Sequence, residues 1–523
     1  MPESEQEYAK ARRQGTMRGS AAVFSVSATS YIAMVLGAVR GILVMRIIGP
    51  TGRGIMQSVN LFMNYLSHAH IGILDGVSKQ LPLAAGSGDY EEADEIESVG
   101  MVWVIGLTAI AGLGMVVWGL SQPTGQRTTG IAIIIGGGWL LAQQTFVLYK
   151  CIIRSWGNFR LLAWVTLADG IFAFGLTVLG AVYWGVLGAM GGLLVAWLLD
   201  LGIMHFFSGV RIRPVIKPKF ALYLLKIGLW ILLIKFSDIF MRSIEGAIII
   251  RYYDAYRFGL YSVGMQMARY MFTLPEAAGF VIWPKIMEKW GGSEDVEDMR
   301  RHVEIPTITS GTVMPFLSGL ATIALPALVM LLIPKFEESI PAAIMLLWGG
   351  VFLALPLATN SLLVARNREW VVVIIRTVAG AALGVAAYWL VSQNAALVYI
   401  AVAAAAAYAL ASILSLAVVL PHYFSGRRLL GEFAVCYVPT LWAVACMFIT
   451  DRIAASFIAG PPDDVIYALV RIGFFVALYG PVLLYTNYRV DLWKELKLSL
   501  SLRGAESTPA DTETGDADDD TEN

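Results

Sequence analysis

The sequence predicts an all-α polytopic membrane protein of about fourteen transmembrane helices. They form two pseudo-symmetric six-helix bundles with two extra helices at the C-terminal end. Three observations predict it. First, 57% of the 523 residues are hydrophobic and only 15% are charged, against ~45–50% and ~25% in soluble domains. Second, apolar runs of spanning length recur along the chain, and in lipid a helix satisfies its own backbone where a loop cannot. Third, the start of the second apolar run resembles a stretch about 205 residues later, an offset that matches six helices and their turns.

In order, the apolar windows lie at 20–46, 55–82, 98–119, 130–153, 161–183, 187–208, 222–250, 258–287, 303–332, 341–365, 371–392, 396–420, 433–456 and 465–487. Residues 1–19 form a polar arm. The first bundle is expected at 20–208, a linker at 209–221, the second bundle at 222–420, the extra pair at 433–487 and an acidic tail at 488–523. After Arg503 the tail has eight acidic residues and no Lys or Arg, the composition of a solvated, disordered segment. With the N-terminus placed inside, 24 Lys and Arg fall on the inner side and 7 on the outer. That asymmetry predicts both termini in the cytoplasm and a multi-pass protein of the plasma membrane. The three cysteines, Cys151, Cys436 and Cys446, have neither paired nor metal-ligand spacing. The acidic segments 86–98 and 291–301 read as solvated connectors or short surface helices.

The repeat aligns GIMQSVNLFMNYL (54–66) with GLYSVGMQMARYM (259–271), Gly54 on Gly259 and Tyr65 on Tyr270. An even number of helices per half implies parallel repeats about an axis along the membrane normal, with a site between them.

Charged residues inside the spans mark that site, because an ionised side chain facing lipid costs ~2.5–3.5 kcal/mol at mid-membrane. Residues 222–250 carry Lys235, Asp238, Arg242 and Glu245 on one helical face. The first span has Arg40, the second His68, His70 and Asp75, and the eighth Arg269 and Glu276. Arg40, Lys235, Arg242 and Arg269 are the candidate cations for an anionic group, since a guanidinium donates two parallel hydrogen bonds to a phosphate. Asp75, Asp238, Glu245 and Glu276 are candidates for ion coupling or for pairing with those cations. Arg376, Arg471 and Asp200 lie closer to helix ends and are expected to reach the membrane surface. His68 and His70, two apart, do not have the i, i+4 spacing of a helical zinc site and read as helix histidines. No phosphate-binding loop, nucleophile elbow or metal cluster is present in the sequence, so neither an enzyme nor an ATP-driven pump is predicted, and no cofactor.

The stretches MRIIGPTGRGIMQSVNLF, GILDGVSKQLP and GDYEEADEI, with LYSVGMQMARYMFTLPEAAGFVIWPKIME in the second half, resemble polysaccharide-biosynthesis membrane proteins. These are the O-antigen-type (Wzx-like) flippases of the multidrug/oligosaccharidyl-lipid/polysaccharide (MOP) exporter superfamily. The resemblance spans roughly residues 15–420. It implies two six-helix bundles around a central cavity and movement of a polyprenyl-phosphate-type lipid-linked oligosaccharide by alternating access. It also implies phosphate contacts from Arg40, Arg242 and Arg269, with Lys235 next. The partners it implies are that substrate, membrane lipids, Na+ or H+ as a coupling ion, and polysaccharide-assembly proteins; nucleic acid is not among them. The alternative in the same superfamily is a cation-coupled multidrug or small-molecule antiporter. Those proteins place a carboxylate in the first helix, where 20–46 has Arg40 and no acid. A membrane polymerase, ligase or acyltransferase is a third class, and it needs a larger external loop than any turn here.

Overall fold

The computed structural model describes residues 20–210, 215–292, 296–457 and 464–490. The arm 1–19, most of the acidic tail, and Arg211 and Arg213 of the linker lie outside the described residues. Among the described residues the chain is entirely helical apart from its turns, and eleven helices are long and apolar enough to cross a bilayer. Two of the eleven fold back on themselves. Ser20–Leu66 reverses at Gly49 (φ 67°) into α1 (20–48) and the first part of α2 (50–66). Phe159–Ser208 reverses at Trp184 and Gly185 (φ 61°) into α5 (159–183) and α6 (186–208). Both hinges need a positive φ that glycine supplies without steric cost.

The remaining helices are the second part of α2 (Ile73–Ser87), α3 (Tyr90–Leu120), α4 (Arg127–Ser155) and α7 (Pro218–Tyr252). They continue with α8 (Ala255–Gly292), α9 (Val296–Leu332), α10 (Ile340–Ala354 and Leu357–Ala365, divided before Leu357 by Pro356) and α11 (Glu369–Ser392). The last three are α12 (Leu397–Val419), α13 (Gly426–Phe457) and α14 (Val465–Val490). Counted by arm and with α8 included, the elements follow the predicted spans one for one.

The turns carry the residues that stop and start helices. Gly88 (φ 82°) closes α2 by donating to Ala84 O, and the Asp89 carboxylate then caps α3 by accepting from the Glu92 N–H at 3.0 Å. Asn158 caps α5 by accepting from the Leu161 N–H at 3.1 Å. The acidic stretch 86–98 is therefore neither a loop nor a separate surface helix. It is the end of α2 and the first turns of α3, where Glu95 pairs with Lys217 at 2.9 Å and the buried Glu97 accepts from the Trp156 indole. Of 291–301, only Val296 onward is helical within the described residues apart from the last turn of α8.

Apolar cores form in both halves, and the first also takes in Ala221 and Leu224 of α7. One gathers Val77, Ile96, Val104, Ile152 and Val165 from α2–α5. The other gathers Met241, Tyr261, Leu383, Ile400 and Ala404 from α7, α8, α11 and α12. Helix contacts inside the halves use small residues, as close packing in lipid requires. The α13–α14 pair docks on α9, where Gly319 lies under the Phe475 ring and Phe475 stacks on Phe316 and Tyr479.

Candidate functional site between the two halves

The halves meet first at the end of the bundle where α1 turns into α2 and α7 into α8, called here the far end. A Cβ on Gly54 would collide with the Ala255 carbonyl, and a Cβ on Gly259 with the Pro50 carbonyl. Position 54 lies four residues after 50, and 259 four after 255, so each half presents the same corner to the other. Such reciprocal contact is what a twofold axis produces. The sequence-aligned pair Gly54 and Gly259 thus sits at the axis itself. The buried Arg53 closes the junction by donating to Ser262 Oγ at 3.2 Å.

Away from the far end the symmetry fails. On one seam α2 runs along α7. The Ser243 hydroxyl bonds Tyr65 at 2.8 Å, Gly76 lies against the Leu224 carbonyl and Gly228 against the Gly72 carbonyl, both too closely for any Cβ. On the other seam Tyr270 of α8 approaches Gly41 of α1. Beyond that contact α1 leaves Tyr31, Ile32, Met34, Val35 and Val39 exposed.

Helix α2 itself is broken, contrary to the single span expected over 55–82. Residues 67–72 form turns, with Ile71 at φ 52° and Gly72 at φ 89°. The Gly72 N–H donates to His70 Nδ1 at 3.2 Å, and His68 Nδ1 lies 3.2 Å from Asn64 O. The two histidines are therefore not helix histidines; they fold the break. At the equivalent place in the other half, 205 residues on, α8 continues as helix through Pro275.

The predicted charges fall into three settings. Along α7, Lys235 reaches across the seam to Asp75 at the start of the second part of α2, Nζ to Oδ1 2.5 Å. Lys235 is half exposed and Asp75 buried. One turn on, Asp238 Oδ1 accepts from Arg242 at 3.0 Å. The same oxygen takes a second arginine, Arg376 of α11, at 3.6 Å, and Arg376 also donates to Ile234 O at 3.3 Å. Arg376 does not reach for the membrane surface as expected from its place near a helix end. The rotation of α11 turns it inward, and the trio keeps one positive charge in excess. Arg242 stacks on Phe272 of α8, 4.1 Å from the ring centre. Glu245, one turn from Arg242, has no ion-pair partner among the described residues. It is fully buried, with one oxygen 3.4 Å from the Tyr408 hydroxyl.

The second setting is Arg269. Ala268, Met271 and Phe272 pack into the second half. At 100° per residue this leaves Arg269, Tyr270 and Thr273 on the side of α8 turned away from it. Arg269 is exposed and has no ion-pair partner among the described residues. The third is Arg40. It shares a face of α1 with Ala33 and Leu36, which lie against Gly170 of α5, so it leans toward Asp169 rather than toward the α7 cations. The four candidate cations are thus not one patch: Lys235 and Arg242 are paired with acids along α7, and Arg269 and Arg40 flank the looser seam. The side chain of Glu276 lies outside the described residues.

Asp200 also departs from expectation. It is fully buried rather than reaching the surface. Arg471 pairs with Asp451 at 3.4 Å near the far end. Among the described residues no group of His, Cys, Asp or Glu could hold a metal ion. The three cysteines are free and buried.

An apolar cavity of about 490 Å³ opens between α9, α13 and α14, lined by Ile308, Val435, Val438, Trp442, Pro481 and Val482 among others. Its residues lie in the half of those helices remote from the far end.

Residues 102–341 match the family model described as polysaccharide biosynthesis protein. No protein of curated function matches the chain in sequence. Among solved structures, a lipid II flippase MurJ in an inward closed conformation superposes with a TM-score of 0.65 at 11% identity, covering 89% of this chain and 99% of that one. An inward-facing multidrug resistance MATE family transporter of the MOP superfamily gives 0.58 at 14% identity, over 76% and 96% of the two chains. An outward-facing form gives 0.53 at 16%, over 76% and 94%. These neighbours are a flippase and transporters, not enzymes. Over residues 102–341 the chain matches a polysaccharide-biosynthesis family model, and over most of its length it is a multi-pass membrane protein that shares the fold of these solved flippase and transporter structures.

Proposed function

We propose that the protein carries a lipid-linked oligosaccharide of the polyprenyl-phosphate type across the plasma membrane for surface polysaccharide synthesis, by alternating access. The observation that carries this reading is Arg269, an exposed arginine at mid-helix with no ion-pair partner among the described residues, beside the looser seam between the halves. An uncompensated cation at membrane depth is costly unless it faces water or an anion. A phosphate that enters there meets Arg269 and the positive excess of Arg242 and Arg376 around Asp238, with Arg40 on the opposite wall. The sealed far end and the exposed stretch of α1 suit a head group admitted from the side of the chain termini, which the basic-residue asymmetry puts in the cytoplasm. The apolar cavity beside α13 and α14 suits the hydrocarbon chain while it remains in the inner leaflet. The difference between broken α2 and continuous α8 supports alternation: equivalent positions in the two halves already occupy two conformations.

A charged hydrogen bond contributes ~1.5–3 kcal/mol, so Arg269→Ala is expected to reduce glycan export roughly 10–150-fold at unchanged protein level. Arg269→Lys, which keeps the charge and loses the fork, is expected to retain part of it. Export of surface glycan in cells, with membrane abundance measured in parallel, is the test. Export unchanged in Arg269→Ala would end the assignment.

A further inference from the structure

Four exposed arginines crowd the end of the second half opposite the far end. The turn from α12 to α13 holds their surroundings together. Arg366, just past α10, donates to the Tyr423 hydroxyl at 2.8 Å, and Arg300 of α9 lies over the Phe424 ring at 5.0 Å. Tyr423 packs with Val303, Leu362, Val372 and Val419, so α9, α10, α11 and α12 all meet at this turn. Arg301 follows Arg300, and Arg368 comes two residues after Arg366. Arg427 and Arg428 open α13 just past Phe424. Arg301, Arg368, Arg427 and Arg428 are all exposed and have no ion-pair partner among the described residues. The described acids nearby do not balance them. Glu304 pairs with Arg300 at 3.4 Å, Glu432 is buried, and Glu369 is partly exposed. The side chains of Glu297 and Asp298 lie outside the described residues. The matching end of the first half differs: Lys217 pairs with Glu95 at 2.9 Å, and the exposed Asp89 and Glu91 precede Glu95 by one to two turns.

The chain carries a complement to this surface. From Glu506 to Glu522 it has eight carboxylates and no Lys or Arg. It also leaves α14 at the right place. α14 runs antiparallel to α13, from Asp451 with Arg471 at 3.4 Å, through Trp442 donating to Leu478 O at 3.3 Å, to Ala434 and Tyr485 on one cavity wall. Thr486 meets Thr312 of α9 at 3.1 Å. Arg427 lies seven residues before Ala434, about 10 Å along the helix. The end of α14 at Val490 therefore heads toward the arginines. Glu506 comes 16 positions after Val490, and a chain of that length spans up to ~55 Å. Exposed ion pairs are individually weak, but tethering presents all the acids together at a high effective concentration.

We propose that the acidic tail, residues 506–522, docks on the surface made by Arg301, Arg368, Arg427 and Arg428 as a tethered counter-charge. That surface lies at helix ends, not at the mid-helix depth of Arg269. Covered by the tail, it does not compete with the looser seam for an anion. The docking itself stands whether or not the cargo is a lipid-linked sugar.

Cross-linking of the purified full chain in phosphatidylcholine nanodiscs reads the contact. Thr512→Cys marks the tail, and Ser425→Cys, at an exposed position beside Arg427, marks the surface. Cys151, Cys436 and Cys446 are buried. A short bis-maleimide joins the two, and labelling with a monofunctional maleimide corrects for thiol reactivity. Raising salt from about 0.1 to 1 M shortens the Debye length from ~10 to ~3 Å and should lower the corrected rate several-fold. Arg427→Gln with Arg428→Gln should lower it equally at low salt. The same pair of substitutions should raise cross-linking of the tail to Ser87→Cys in the first half. Thermal unfolding shows whether that variant folds; if it does not, the salt series decides alone. A rate indifferent to salt and to the arginines would overturn the proposal, because tethering alone then explains the contact. So would cross-linking lost when phosphatidylglycerol replaces phosphatidylcholine, which gives the surface to anionic lipid. Failure of the flippase reading would show in export assays and leave the cross-linking unaltered.

Discussion

The far-end junction offers a quantitative test, because its two halves are copies of one contact. Gly259→Ala places a methyl group against the Pro50 carbonyl, and Gly54→Ala places one against the Ala255 carbonyl. Neither obstacle is the tip of a flexible side chain, so the helices themselves must move. Overpacking of this kind costs ~1–3 kcal/mol, and every 1.4 kcal/mol is tenfold in an equilibrium. Either substitution should therefore shift the sealed state toward opening by roughly 5–150-fold. The second substitution should add less than the first, since separating the corner relieves both clashes together. A cysteine replacing Tyr270, just past the seal, reports the change through its labelling rate with a membrane-impermeant maleimide applied from the far side. Cys151, Cys436 and Cys446 are buried and leave the background low. Gly191→Ala is the control, because nothing lies within 4 Å of a Cβ there. Labelling that does not rise in Gly259→Ala, rises as much in the control, or rises in strict proportion when both glycines are replaced would refute the reciprocal seal.

Two further outcomes follow from the α7 charges. Lys235→Met removes the cation from an acid that is almost wholly buried, whereas its own side chain is half exposed. It should lower the unfolding temperature more than the double variant Lys235→Met with Asp75→Asn, because the damage lies in the orphaned carboxylate; thermal unfolding in detergent compares the two. Arg376→Ala leaves Asp238 held by Arg242 alone and cancels the local positive excess. Glycan export should fall several-fold in that variant, where its place near a helix end predicts little effect; export measured alongside Arg269→Ala ranks the two arginines.

The features legible in sequence are those that one helix carries by itself. Length and hydropathy give the spans, and glycine with short polar turns gives their ends. The repeat was readable from Gly54 and Gly259 because close approach at the axis tolerates no side chain at either position. The charged face of α7 was readable because Lys235, Asp238 and Arg242 fall at helical spacing, and the pairing of Arg242 with Asp238 is that spacing realised. What escaped was set by neighbours. Whether Arg376 reaches the membrane surface or Asp238 depends on how α11 is rotated against α7. Whether Asp200 reaches the surface depends on the α5–α6 register, which the glycines determine only once the hairpin turn at Trp184 and Gly185 is known. The break at 67–72 had a local trace in Gly72 and the two histidines, yet a span of that hydropathy reads as continuous, because hydropathy does not report where backbone hydrogen bonds are given up.

The charges left over sort the structure into parts that hold and parts that act. Lys235 with Asp75 closes one seam, and a bond so placed serves the closed interface whether or not cargo is present. Arg269 and Arg40 flank the opposite seam without ion pairs of their own among the described residues. Had the purpose of the intramembrane cations been cohesion alone, both seams would carry pairs, since each half supplies acids at comparable depth. Asp169 stands on the Arg40 side without an ion pair to it among the described residues, and Glu245 faces a tyrosine. On the proposed reading, the seam without ion pairs among the described residues is the one where an anionic head group would meet positive field, and the paired seam is the one that holds the halves together.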